Sequence, residues 1–118
     1  MNLNSLSSEI ELETTLDRLC GDEVLLLEIL DLFLEDFYAE QPLLLNRVDT
    51  NDYAGLASKA HYFKGIAQNI GLVNFLSQII QLEQAAKLHD SAACQQAIDL
   101  LSRTTRHISD LRTGVKAA

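Results

Sequence analysis

The chain has 118 residues, of which 47% are hydrophobic, and a formal net charge of −8 at pH 7. This length fits a single domain with its own hydrophobic core, and the apolar content argues against a disordered chain. The acidic balance argues against nucleic acid as a partner, because phosphates bind to basic surfaces. No apolar run is long enough to span a membrane, so we expect no membrane partner.

The charge is divided unequally along the chain. Residues 1–50 carry a net charge of −10, whereas residues 51–118 carry +2. The second half is therefore the more favourable place to bind an anion. Cys20 and Cys94 lack the spacing of a metal site, and the first residues lack the features of a signal peptide. These observations predict reduced thiols and a cytoplasmic location.

Abundant leucine, one proline and five glycines predict an all-α fold. Capping and turn residues divide the chain, 1–118, into six helices within a single domain. A short helix over residues 9–20 should stop at Gly21, and Pro42 suits the first turn of a third helix, where its missing N–H is not needed. We expect a monomer whose core is an antiparallel four-helix bundle, formed by residues 22–39, 51–70, 72–88 and 91–113.

The second predicted helix is apolar over an unusually wide arc. A narrow polar stripe leaves an apolar arc of roughly 240° around this helix. A surface helix that packs on a core with one face needs an apolar arc of only ~100°. Neighbouring helices could cover the excess. Alternatively, part of it, around Leu25, Leu32 or Tyr38, forms an exposed docking patch.

Helix 51–70 has a regular apolar seam, formed by Tyr53, Leu56, Ala60, Phe63, Ala67 and Ile70. His61 lies about 100° away from this seam, on the same face as Lys64, Gly65 and Gln68. We therefore expect its imidazole at the edge of the bundle, accessible to solvent.

The neighbours of His61 suit a site that receives an anion. Helical side chains lean toward the N-terminus, so residues 64 and 65 lean over the imidazole. Gly65 leaves that space open, which accounts for a mid-helix glycine that costs ~1 kcal/mol relative to alanine. Lys64 brings an ammonium group that can neutralise a phosphoryl group. His89 and His107 lack such neighbours, no acid is evident to orient His107, and we interpret both as solvated surface residues.

Glu83 lies on the apolar seam of helix 72–88 and is therefore expected to be buried with a partner. His61 and Glu83 are nearly equidistant from Gly71, which should end the preceding helix. A Glu83 carboxylate that accepts from Nδ1–H of His61 would leave Nε2 as the nucleophile.

The segment from His61 to Gly71 resembles the signature of histidine-containing phosphotransfer (HPt) domains. In that signature an alanine precedes the histidine, Lys and Gly follow three and four residues later, a small residue follows at six, and often a Gly near ten. The matching residues are Ala60, Lys64, Gly65, Ala67 and Gly71. Leu82-Glu83 and Gly21-Asp22 resemble two further features, so the resemblance covers nearly the whole chain, although Phe63 stands where the family more often has Leu.

The resemblance implies a four-helix bundle with extra short N-terminal helices. It implies reversible phosphorylation of His61 at Nε2, in a phosphorelay whose partners are receiver domains of response regulators or hybrid sensor histidine kinases. Lys64 would stabilise the transferring oxygens, and Glu83, which is Gln in some members, would orient the ring. The chain would then be a phosphocarrier rather than an ATP-dependent kinase, with no cofactor of its own and Mg²⁺ on the partner receiver.

Two other classes of function fit parts of the pattern. One is a helical bundle that docks a receiver or kinase without carrying phosphate, and the intact His61, Lys64 and Gly65 argue against it. The other is a metal-binding bundle enzyme that uses His61 and Glu83, and the lack of any Glu-x-x-His pair argues against that class.

Overall fold

The computed structural model describes residues 3–115, and within them the fold is all-helical, as predicted. A 3-10 helix precedes five α-helices, which we number α1 to α5. An isolated antiparallel bridge joins Ile10 to Leu72, and the described residues contain no strand. The bounds are Leu3–Ser8 for the 3-10 helix, Leu12–Arg18 (α1), Glu23–Asp49 (α2), Tyr53–Ile70 (α3), Val73–Lys87 (α4) and Ser91–Thr113 (α5).

Helix α2 runs through the position where the sequence predicts a new helix. Pro42 lies inside this single 27-residue helix, so the prediction that it begins a third helix is wrong. An interior proline costs about 3 kcal/mol because it removes one backbone hydrogen bond and crowds the preceding turn. Pro42 is exposed, whereas Phe37 before it and Leu44 and Val48 after it are buried. Burial of these side chains on one continuous face offsets the cost.

The N-terminal segment differs from its prediction in two ways. The resemblance implies more than one short N-terminal helix, but the 3-10 helix at residues 3–8 was not placed from the sequence, and α1 spans seven residues rather than residues 9–20. Helix α1 ends early because Cys20 and Gly21 adopt positive φ angles of 56° and 75°, which no helix can continue through. The segment still packs on the core through Leu6 and Ile10, which are both almost completely buried.

The turns around α3 are those that the sequence predicts. Asp52 accepts a hydrogen bond from the Gly55 amide at 3.0 Å and caps the N-terminus of α3. Gly71 ends α3 in the left-handed conformation with φ of 74°. Asp90 accepts from the Ala93 amide at 3.1 Å and caps α5. These three caps fix both ends of α3 and the start of α5.

Four phenylalanines lock α2, α3 and α4 together. Phe63 of α3 meets Phe37 of α2 with ring centroids 5.4 Å apart, and Phe75 of α4 meets Phe33 at 4.8 Å, both edge to face. Aromatic rings packed in this way prefer defined angles, so the cluster restricts rotation of each helix about its axis. Because Phe63 points into the core, His61 two residues earlier must point outward.

The N-terminal segment also closes the C-terminal end of α3. The last carbonyls of any α-helix lack partners within the helix. Thr15 donates its hydroxyl to the Ile70 carbonyl at 2.9 Å, and Arg18 donates to the carbonyls of Gln68 and Asn69 at 3.2 and 3.0 Å. The segment thereby holds the end of the helix that carries His61.

Candidate functional site

His61 stands on α3 outside the buried seam. All six predicted seam residues are buried, which confirms the sequence prediction for this face of the helix. The His61 side chain is 72% exposed. An imidazole on a rigid helix between a packed core and open solvent can therefore meet a second molecule directly.

A buried carboxylate orients this imidazole. Glu83 of α4 is only 6% exposed, and its Oε2 lies 3.2 Å from Nδ1 of His61. Lys64 donates a hydrogen bond from Nζ to Oε1 of the same carboxylate at 2.7 Å. The hydrogen bond from Lys64 holds the pKa of Glu83 below its ordinary value of 4.5, with the charge of Lys87 acting in the same direction. Glu83 is therefore ionised and accepts the Nδ1 proton, which leaves the Nε2 lone pair toward solvent.

Two ammonium groups flank this pair rather than one. Lys87 lies four residues after Glu83 on α4, and its Nζ is 3.9 Å from Oε2. We did not predict this residue, although its i, i+4 spacing from Glu83 is visible in the sequence. Lys64, predicted to lean over the imidazole, instead bonds to the carboxylate beside it. Both cations remain within reach of a negative group added to the ring.

Gly65 leaves open space one turn beyond His61. A Cβ atom added at Gly65 would find nothing within 4 Å, so close helix packing does not account for the glycine. Gln68 lies on the same face but a further turn away, about 10 Å from His61 along the helix axis. It is exposed, and its carbonyl accepts from Arg18. The geometry thus joins His61, Lys64 and Glu83 directly and leaves Gln68 at the periphery.

Tyr62 borders the site on the side of α2. Its ring is 48% exposed, and its hydroxyl donates to Oδ2 of Asp36 at 2.7 Å. The Nζ of Lys59 stands 5.0 Å from the ring centroid. The hydrogen bond to Asp36 raises the pKa of Tyr62, so the phenol stays protonated as a donor. We did not single out this residue from the sequence, because an exposed tyrosine carries no distinctive spacing.

A second histidine is oriented by a carboxylate, contrary to the sequence prediction. Nδ1 of His107 on α5 lies 2.5 Å from Oε2 of Glu9, which is 5% exposed. Asn74 donates to the other Glu9 oxygen at 3.0 Å. The two residues are 98 apart in the chain, so sequence spacing gave no signal of the contact. His89 is exposed, as predicted, and its ring stacks on Tyr53 at 4.6 Å.

The described residues contain neither a candidate metal site nor a candidate membrane-spanning helix. Within residues 3–115, no three His, Cys, Asp or Glu side chains converge where they could hold a metal ion. In the same part of the chain, every helix is too short or too polar to cross a membrane.

The fold is all-helical and presents His61 to solvent, with its ring held by the Glu83 carboxylate beside Lys64 and Gly65. These features define a helical module that exposes an oriented histidine. The family model of the Hpt domain matches residues 28–116, about three quarters of the chain, and the chain belongs to the Hpt domain family. Hpt domains are phosphocarrier modules of two-component signalling and phosphorelays. No curated protein and no solved structure matches the chain.

Proposed function

We propose that this protein carries a phosphoryl group on His61, which it accepts from and returns to the aspartate of a receiver domain. The observation that carries this proposal is the contact between Nδ1 of His61 and the buried, ionised Glu83, which is itself bonded to Lys64 and presents Nε2 to solvent. Membership of the Hpt family supports the same chemistry. The open space at Gly65 and the ammonium group of Lys64 suit an incoming phosphoryl group.

The proposed transfer is an in-line displacement at phosphorus, in which His61 replaces the receiver's aspartate. Nε2 of His61 attacks the phosphorus of the receiver's aspartyl phosphate, a P–N bond forms, and the P–O bond to the aspartate breaks. The electron pair of that bond leaves on the aspartate, which becomes a free carboxylate. The Nδ1 proton stays between the ring and Glu83, which stabilises the positive charge that develops on the imidazole. Lys64 and Lys87 balance the charge of the phosphoryl oxygens.

The flank of α2 next to α3 offers a docking surface for the receiver. Leu25, Leu32 and Leu43 fall on one stripe of α2 and are 37%, 66% and 47% exposed. Asp36 lies on the same stripe and bonds to Tyr62, so the stripe borders the site. Tyr38, also predicted as a docking residue, lies about 120° around the helix from Leu32 and faces the other flank.

The proposal also includes the direction in which the helices of the bundle run. Arg112 bonds to Asp31, and Gln41 bonds to Ser102, so residue numbers rise along α2 as they fall along α5. These contacts support an antiparallel arrangement of α2 and α5. We also propose that α2 to α5 form an antiparallel bundle, in a single domain that acts as a monomer. We further propose that the receiver supplies Mg²⁺, that this chain carries phosphate without being a kinase, and that transfer takes place in the cytoplasm.

Phosphorylation by a receiver tests the proposal. The purified protein is mixed with a receiver domain that bears a labelled aspartyl phosphate, and the label is followed in the wild type, His61→Gln and His107→Gln. We expect an acid-labile, base-stable label in the wild type and in His107→Gln, and none in His61→Gln. The His107 variant is a matched control, because that ring is also bonded to a carboxylate. Wild-type labelling of His61→Gln would refute the proposal.

The same experiment separates transfer from docking alone. A module that binds receivers without carrying phosphate would retain the receiver in a binding assay but take up no label. We favour the carrier, because Glu83 orients the His61 ring in a way that docking does not require.

A further inference from the structure

We infer that Tyr62 is a specificity-determining residue, whose ring contacts the receiver that exchanges phosphate with His61. The inference deepens the proposed function and rests on it. It starts from a half-exposed aromatic ring directly after the phosphorylated residue. Tyrosine is enriched at binding hot spots because it provides a large contact area with few rotatable bonds.

The geometry of α3 brings any molecule that reaches His61 against this ring. At 100° per residue, Gly65 lies about 40° around the helix from His61 and about 60° from Tyr62, one turn further along. The open space at Gly65 therefore lies between the imidazole on one side and the phenol on the other. A receiver that approaches Nε2 through this space meets Tyr62 as its opposite wall.

The ring is held in place before any partner arrives. Asp36 accepts from the hydroxyl at 2.7 Å, Lys59 covers part of the ring at 5.0 Å from its centroid, and Phe63 meets it edge to face at 5.1 Å. A side chain that is already ordered loses little entropy on binding, which favours its use as a contact. These contacts leave half of the side chain open to solvent.

The hydroxyl of Tyr62 bonds to Asp36, which lines a groove on α2. An open groove of about 400 Å³ is lined by Leu32, Glu35, Asp36 and Ala39. Because Asp36 lines the groove and bonds to the phenol, Tyr62 separates the groove from His61. A receiver seated in the groove and a phosphoryl group delivered to Nε2 thus touch the two sides of one residue. A receiver that reaches both the groove and Nε2 therefore also contacts the ring of Tyr62.

The test measures transfer from one receiver domain, phosphorylated with acetyl phosphate, over a range of receiver concentrations. We expect Tyr62→Ala to raise the KM for the receiver by about tenfold or more, as for a hot-spot residue. The transfer rate at saturation should stay within about twofold of wild type, since the ring takes no part in the chemistry. Tyr62→Phe keeps the ring but loses the bond to Asp36, so its KM should fall between those of wild type and Tyr62→Ala.

Tyr38→Ala is the matched control. Tyr38 is 43% exposed, close to the 48% of Tyr62, but lies on the opposite flank of α2, and its replacement should leave KM unchanged. An unchanged KM in Tyr62→Ala, or an equal rise in Tyr38→Ala, would overturn the inference. A loss of saturating rate without a change in KM would do the same. Absence of transfer to the wild type would instead reject the proposed function, so the two failures are distinguishable.

Discussion

If His61 carries the phosphoryl group as proposed, a side chain at position 65 would enter the open space beside its ring. Replacing Gly65 by alanine or valine should therefore separate folding from transfer. An added Cβ meets nothing within 4 Å in the free protein, so the alanine variant introduces no clash. Helix propensity then favours the variants, by about 0.5–1 kcal/mol for alanine and by a few tenths for valine. We expect the alanine variant to unfold about 2–4 °C higher, given the usual scaling for a domain of this size.

Transfer should change in the opposite direction. Displacing reacting atoms by about 1 Å can cost ~10²-fold in rate, and the branched side chain of valine fills more of the approach than a methyl group does. We therefore expect a graded loss, small for Gly65→Ala and about 10²-fold for Gly65→Val. Thermal unfolding and single-turnover transfer from a phosphorylated receiver measure the two effects. Transfer at the wild-type rate in Gly65→Val would show that the space at Gly65 is not the path of approach.

Two further predictions concern Glu83. Glu83→Ala should slow transfer by up to about 10²-fold without abolishing it, because an orienting group assists a nucleophile that is still present; an unchanged single-turnover rate would remove Glu83 from the mechanism. The lowered pKa of Glu83 should also stabilise the fold above pH 4.5, and this contribution should fade as the pH falls through the lowered pKa. Urea unfolding should thus show the largest gap between wild type and Glu83→Gln near pH 6, and a gap that stays constant down to pH 3 would contradict the assignment.

Local sequence signals predicted the part of the fold that carries the site. Helix α3 has a regular seam, an aspartate cap and a terminal glycine, and each of these acts over a few residues. The seam of α4 placed an acid among apolar residues, which indicated that Glu83 is buried with a partner. Because Gly71 joins the two helices by a short turn, counting residues from it was enough to bring Glu83 to the height of His61.

Contacts between distant segments account for what the sequence could not predict. Pro42 favours a helix start locally, but burial of Phe37 and Leu44 on one face keeps α2 continuous. The pairing of His107 with Glu9 depends on where the N-terminal segment packs, which no spacing in either segment encodes. The helix-start preference of Pro42 and the search for an acid near His107 both consider only neighbours in sequence. They therefore give the wrong prediction where packing between distant segments determines the structure.

Residues 3–115 contain two histidines whose Nδ1 atoms face buried glutamates, and the charges around the two glutamates differ. His61 and His107 both place Nδ1 against a glutamate oxygen and both have an exposed ring, with side chains 72% and 52% exposed. Orientation therefore does not distinguish them. Glu83 is bonded to Lys64 and lies close to Lys87, whereas the second hydrogen bond to Glu9 comes from the neutral amide of Asn74. Phosphorylation adds negative charge, so a carboxylate already compensated by ammonium groups tolerates it far better than one that is not. The lysines beside Glu83 therefore support the proposal that the phosphoryl group is carried by His61 rather than by His107.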